Sequence, residues 1–229
     1  MSKASNVMVR LHDAWNVGDK RAFEAALAVF EQQPDPSETD KNGRTALWLA
    51  ASIGSVKAIE LLLKSGSVIE SRCSRTGYTP LHAAVFWRHP EATHFLLEGG
   101  ANPNQPDAHG QTPLMLACVG GSVEIAKSLL DFHAIVDLQD DHGMTALMMS
   151  SVRRRTAIVR VLLSEHAAVN FQDRRGSTAL MLAANIEIAR LLLEHGADTS
   201  LCDRAGKTVH DRMASRPEMT ALLIRSARE

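Results

Sequence analysis

The sequence predicts an all-α solenoid: short helix-turn-helix units joined by β-hairpin-like turns and stacked side by side, about seven units counting a cap at each end. Three observations carry this. The pattern D-x-x-G-x-T-[AP]-L occurs as "DKNGRTAL" at 40, "SRTGYTPL" at 74, "DAHGQTPL" at 107, "DDHGMTAL" at 140 and "DRRGSTAL" at 173, with a worn copy, "DRAGKTVH", at 203. Its glycines stand at 43, 77, 110, 143, 176 and 206, spaced 34, 33, 33, 33 and 30 residues. Neither helix of a unit is long enough to be stable alone in water, so stacked neighbours must supply the core.

Taken in order, "MSKASNVMVR" at 1–10 has too short an apolar stretch for a secretory signal and is expected to be disordered. A single domain then fills 11–229. "LHDAWNVGDKRAFEAAL" at 11–27 reads as a helix pair without its own turn, the core of a cap unit over 11–39, and "QQPDPSETD" at 32–40 as the connecting loop. Repeats follow from 40, 74, 107, 140 and 173. In each, Asp and Gly bracket a tight turn, Asp for local hydrogen bonding and Gly for a positive φ. Thr45, Thr79, Thr112, Thr145, Thr178 and Thr208 suit helix N-caps, with Pro80 at a first helical position where its missing N–H costs nothing. A first helix runs through "LHAAVFW", and a second through "EATHFLLE" and its equivalents "SVEIAKSLL" and "TAIVRVLL". Ile125 with Leu129, and Ala126 with Leu130, form i, i+4 apolar pairs on one buried face. Gly66, Gly100 and Gly196 end second helices; His133 and His166 take that place in two repeats and are expected to be left-handed. "LMLAANIEIARLLL" lacks three residues relative to "LMLACVGGSVEIAKSLL", which predicts a first helix cut short at Asn185. The C-terminal cap unit, 203–229, carries His210 and Arg212 where apolar residues would otherwise stand.

This repeat resembles the ankyrin repeat, whose period is 33 residues and whose signature includes T-P-L-H-x-A. The resemblance covers nearly the whole chain and implies a non-catalytic protein-interaction scaffold whose concave face is built from hairpin tips and first-helix ends. Within that family, "SNVMV" at 5–9 and "GRTALWLA" at 43–50 are similar to the gankyrin-type assembly chaperones of the proteasome regulatory particle. That similarity implies a contact between Arg44 and acidic residues of a proteasomal ATPase. Gly120 stands where that class carries a lysine, with Arg153 one repeat on.

Composition excludes several classes. Hydrophobic residues make up 45% and charged residues 22%, and the net charge of −1 gives no global reason to expect nucleic acid or an anionic membrane. No apolar run reaches membrane-spanning length. Cys73, Cys118 and Cys202 lack CxxC spacing, which fits reduced thiols in the cytoplasm or nucleus. "AGKT" at 205–208 lacks the first glycine of a phosphate-binding loop, and the repeat already accounts for Gly206 and Thr208. His109 and His142 lack the further ligands of a metal site, and His82 reads as a structural hydrogen-bonding residue. No cofactor is expected. Asn104 and Asn170, of which Asn170 after Val169 is the better candidate, stand where some ankyrin repeats are hydroxylated on asparagine, although an asparagine bonding a hairpin backbone is the favoured reading.

Function is expected on the inner surface. Of eighteen tip positions implied by the resemblance, seven are Lys or Arg (Lys41, Arg44, Arg75, Arg174, Arg175, Arg204, Lys207) and one, Asp141, is acidic. Arg153 and its neighbours Arg154 and Arg155 add to them. Glu60, Glu91, Glu124, Glu187 and Glu194 place the compensating acid on the second helices. Tyr78, Phe86 and Trp87 form an aromatic cluster with Met144, Val119 and Val152 beside it and Trp48 at its edge. Leu81, Ala84, Phe95 and Leu96 already supply that repeat's core, which leaves Phe86 and Trp87 for a partner. The expected partner-binding set is therefore Arg44, Trp48, Arg75, Tyr78, Phe86, Trp87, Met144, Arg153, Arg174 and Arg175. The expected ligand is an acidic protein segment with an apolar anchor, bound by a monomer. Nucleic acid on the basic face is the alternative of another class.

Overall fold

The computed structural model describes residues 3–30 and 37–226, and these form helix pairs stacked into a solenoid. The first pair is α1 (Lys3–Val17) and α2 (Lys20–Phe30), turned at Gly18 with φ +70°. Of the segment 1–10 expected to be disordered, residues 3–10 are helical instead, and residues 1–2 lie outside the described residues. Leu11 and Ala14 are buried and anchor α1. Once nucleated there, the helix extends through a segment that holds neither Gly nor Pro. Most of the expected connecting loop, residues 31–36, lies outside the described residues.

Four full pairs follow. Their first, inner helices are α3 (Ala46–Ser52), α5 (Pro80–Phe86), α7 (Pro113–Gly120) and α9 (Ala146–Val152). Their second, outer helices are α4 (Val56–Lys64), α6 (Pro90–Glu98), α8 (Val123–Asp131) and α10 (Thr156–Ser164). The fifth repeat contributes only an outer helix, α11 (Ile186–Glu194), and the chain closes with α12 (Val209–Met213) and α13 (Pro217–Ser226). The inner helices are buried almost all round, through Leu47, Leu81, Leu114 and Leu147 and the small residues Ala50, Ala84, Ala117 and Ser150. That is why seven or eight residues suffice for each: neighbours on both sides replace the length an isolated helix would need.

The turns work as the sequence implies. Asp107 Oδ1 accepts the backbone N–H groups of His109 and Gln111, and Asp40, Asp140, Asp173 and Asp203 do the same in their own turns. Adjacent tips are joined by single backbone bonds, such as Ala108 N to Thr76 O and Asp141 N to His109 O. These are too sparse for a regular sheet, and an isolated bridge pairs Thr39 with Thr45. The 34-residue spacing between Gly43 and Gly77 is a one-residue enlargement of the second tip. There Cys73 N reaches Tyr78 O, five residues on, where Asp40 N reaches Arg44 O, four on. Thr45, Thr79, Thr112, Thr145 and Thr208 each cap an inner helix.

His133 and His166 are left-handed, with φ of 65° and 58°, as expected of residues in the glycine position after an outer helix. Two further left-handed residues went unread in the sequence: Arg88 (60°) and Arg154 (59°), in the inner-to-outer turns where Gly54 and Gly121 serve elsewhere. Beside those turns, side chains reach back to the carbonyl end of the preceding unit. His89 Nε2 bonds Ser52 O at 3.0 Å, Arg155 Nη2 bonds Val119 O at 3.2 Å, and Arg216 Nη1 bonds Ala183 O at 3.1 Å. The Arg155 cation also complements the negative end of α7.

The shortened fifth repeat departs furthest from expectation. Residues 179–182 form turns only, and the entire inner helix is missing rather than one end of it. Thr178 Oγ1 still accepts Met181 N, but the chain then runs straight to Asn185, whose side chain caps α11 through Ile188 N at 2.8 Å. With three residues removed, an inner helix and its turn cannot both fit before α11. Asn185 is thus an outer-helix cap, not an inner-helix end.

Candidate functional site

The inner helices and hairpin tips carry a continuous row of aromatic rings. Trp15 of α1 meets Trp87 edge-on, centroids 6.5 Å apart and planes at 85°. Trp87 meets Phe86 at 5.5 Å, Phe86 meets Tyr78 at 5.8 Å, and Tyr78 stacks on His82 at 5.4 Å. Phe86 is the last residue of α5 and Trp87 its C-cap, so both project from the helix end. Phe86 is 52% and Trp87 49% exposed, whereas Leu81, Ala84 and Leu96 beneath them are buried. Val152, at the end of α9, is exposed as well; Met144 and Val119 are half-buried against the core. Tyr78 is half-buried too. Burial, with the Asp107 carboxyl and Cys73 adding to it, pushes its phenol up to about 12, so it remains a neutral ring.

His82 holds the row from beneath. Its Nδ1 lies 2.8 Å from Thr79 Oγ1 and its Nε2 3.3 Å from Gln111 O, which ties the cap of α5 to the next hairpin. Fully buried, it is shifted down to about 4: burial outweighs the opposing influence of the Gln111 carbonyl and Asp107. A neutral imidazole locked between two partners is structural.

Arg44 and Trp48 are corrected. Each is only 7% exposed, so neither belongs to an open surface. Arg44 Nη2 lies 2.6 Å and Nε 2.7 Å from Asp40 Oδ2, and Nη2 is 2.9 Å from His12 Nδ1. Its guanidinium carbon sits 4.1 Å from the Trp15 ring centroid and 5.3 Å from that of Trp48. An arginine held this way fastens α1 to the first repeat. Burial pushes the Asp40 carboxyl up, but the Arg44 side chain and the N–H groups of Arg44 and Asn42 outweigh it and hold it below the usual carboxylate range. Trp48 had a legible signal: His82, Met115, Met148 and Met181 occupy the same repeat position, and all are buried. Trp15 joins the row from the cap helix, which stands outside the repeat register that marks tips and inner-helix ends.

Charge on this face is cationic at both ends of the tip row. Lys41 and Arg75 are exposed near the N-terminal end, and Arg174, Arg175, Arg204 and Lys207 near the C-terminal end. Arg153 and Arg154 are exposed too, while Arg155 is half-buried and engaged with Val119 O. Among the described residues, no carboxylate lies within ion-pair distance of Arg75, Arg153, Arg174 or Arg175. The outer helices carry acid: Glu91, Glu98, Glu124 and Asp131 line a groove of about 510 Å³ between α6 and α8.

Other candidates resolve into structure. Asn104 donates to His133 O and accepts from Ile135 N; Asn170 donates to Gly196 O and accepts from Asp198 N, so each amide bonds a neighbouring turn. Gly206 and Thr208 serve the last hairpin and the cap of α12. His109 and His142 are exposed on adjacent tips, and no group of three metal-ligating side chains converges among the described residues. No helix among them is long and apolar enough to cross a membrane.

The family described as ankyrin repeats (3 copies) matches residues 11–107, 94–173, 134–203 and 158–226. The solved ankyrin repeat domain of human ASB11 superposes with a TM-score of 0.82 at 26% identity, covering 94% of this chain and 96% of that one. Human neurogenic locus notch homolog protein 4 is 36% identical over 92 residues, 34% of this chain. BRCA1-associated RING domain protein 1 of Caenorhabditis elegans is 31% identical over 83 residues, 36% of this chain. The chain spans 5% and 11% of those two relatives' lengths.

Proposed function

Since this chain belongs to the ankyrin-repeat family, whose domains generally serve as non-catalytic protein-interaction scaffolds, we propose that it binds an acidic, apolar segment of another protein on its inner face. The observation that carries the reading is the exposed pair Phe86 and Trp87 in a chain with only 4% aromatic residues. Large aromatics that a fold leaves open and adjacent are the side chains that dominate binding energies. Lys41, Arg75, Arg153, Arg174 and Arg175, spread along the same face, would steer an acidic segment and set its register more than its affinity. The gankyrin-type reading loses its main residue, because Arg44 is held by Asp40 and two tryptophans; we do not extend it to a proteasomal ATPase. The protein is taken as a monomer of the cytoplasm or nucleus, with Cys73 and Cys118 buried as thiols.

The test compares wild type with Trp87→Ala as baits in cells of the source organism, identifies proteins by mass spectrometry, and measures the recovered segment by calorimetry. Trp87→Ala is expected to weaken binding by about 2 kcal/mol or more. Arg153→Glu with Arg154→Glu should mainly slow association and flatten its salt dependence. The same affinity in wild type and Trp87→Ala would refute the reading. Binding of RNA or duplex DNA with a steep salt slope would favour the nucleic-acid alternative.

A further inference from the structure

Where α1 turns into α2, the N-terminal pair and the first two repeats meet around an open cavity of about 490 Å³. Trp15, Asn16, Lys20, Ser52, Ile53, Trp87 and His89 line it. Trp15 and Trp87 stand at right angles and make two walls. Ile53, almost wholly buried, adds an aliphatic patch to the lining. Ser52 and His89 are spent on each other, through the 3.0 Å bond from the imidazole to the Ser52 carbonyl. Burial, with the Lys20 charge opposing protonation as well, lowers the His89 pKa and favours the uncharged ring. Among the described residues, Lys20 is the one formal charge on the wall; its ammonium makes a 3.3 Å bond to Gly54 O and is exposed. No carboxylate of the described residues lines this cavity. Two others of similar size carry Asp13 and Asp19, or Glu91, Glu98, Glu124 and Asp131. The volume lies within the roughly 300–1,000 Å³ of ligand-accepting pockets.

We infer that this cavity is the anchor point of the partner segment: it takes one large apolar side chain against the corner that Trp15 and Trp87 form, and the carboxylate of an adjacent acidic residue pairs with Lys20. The inference rests on the inner-face reading above and deepens it. It assigns part of the site to the N-terminal helix pair and places one end of the bound segment there. Apolar walls with a single cation and no acid complement that chemistry and disfavour a basic segment, which would meet Lys20 with like charge.

The probe is a displayed library of random 16-residue peptides panned on the whole chain, with the enriched peptides synthesised and their affinities measured by fluorescence anisotropy. The variants are Lys20→Glu, Lys20→Gln and Asn16→Asp, all at exposed positions, with Trp87→Ala and, on the outer face, Lys127→Glu as a charge-matched control. Melting curves check that each variant folds. The enriched peptides should share a large apolar residue beside Asp or Glu. Lys20→Glu and Asn16→Asp should each weaken them at least tenfold, Lys20→Gln less, and Lys127→Glu less than twofold. Peptides that need Trp87 yet bind Lys20→Glu and Asn16→Asp within twofold of wild type would overturn the cavity assignment and leave the inner-face reading standing. A library yielding no binder sensitive to Trp87→Ala would remove both.

Discussion

Replacing Arg44 by Met should detach the N-terminal helix pair, and the size of the effect follows from its surroundings. The side chains of Arg44 and Asp40 are 9% and 6% exposed, so removing the guanidinium strands a buried carboxylate. Breaking such a pair costs about 3–5 kcal/mol. His12, the third member, is 21% exposed, and water reaching that edge argues for the lower end, about 3 kcal/mol. Lost stacking on Trp15 and Trp48 adds roughly 0.5–2 kcal/mol. Because a solenoid's stability is nearly a sum of neighbour terms, the loss is confined to the first interface. Amides of 3–30 should exchange freely while those of 107–170 keep their protection. The pH dependence supplies a sign. In wild type, the folded Asp40 pKa lies below its ordinary 3.8, so its stabilisation is complete above that value and fades as pH falls through it. In Arg44→Met the carboxylate keeps its burial and loses its cation, so its pKa rises and acid relieves the penalty. The gap between variant and wild type in urea titrations should therefore narrow from pH 7 to pH 5. Asp40→Asn, which keeps the Oδ1 acceptor for the turn, should restore part of the stability of Arg44→Met. A cost under 1 kcal/mol at pH 7, or a gap that widens in acid, would refute the assignment.

Three further outcomes are expected. His82, near 4 when folded against 6.5 when unfolded, binds its proton preferentially in the unfolded chain. Its contribution is therefore intact above pH 6.5 and declines towards pH 4, by up to about 3 kcal/mol, and His82→Met, the residue other repeats carry there, should flatten that decline in acid titrations. His133→Gly, at φ 65°, should raise stability by up to about 1 kcal/mol in equilibrium denaturation, and a loss would mean the left-handed turn is not strained. Hydrogen exchange should find 186–226 opening before 107–170, since the missing inner helix thins the join to the C-terminal pair; equal protection in both would count against it.

What the sequence determined by itself is whatever repeats. Period, turn chemistry, Thr caps and the buried stripes of the outer helices are local and written several times, so each copy confirms the next. The left-handed histidines were legible on the same ground, as departures at a position whose role the other copies define. Tertiary structure decided what depends on neighbours. Arg44 is a tip residue by register, yet Asp40, His12 and Trp15 enclose it, and two of those come from a cap helix outside the repeat. Trp87 is left exposed beside a third repeat whose equivalent place is Gly120, which has no side chain to reach over it. The fifth repeat shows the same limit. Three deleted residues read as a trimmed end, but a helix of seven residues has no turn to spare, so the shortened segment gives up its helix altogether. Position in a repeat is encoded along the chain, whereas burial is set by what stacks against that position, and the stack brings together residues about thirty apart.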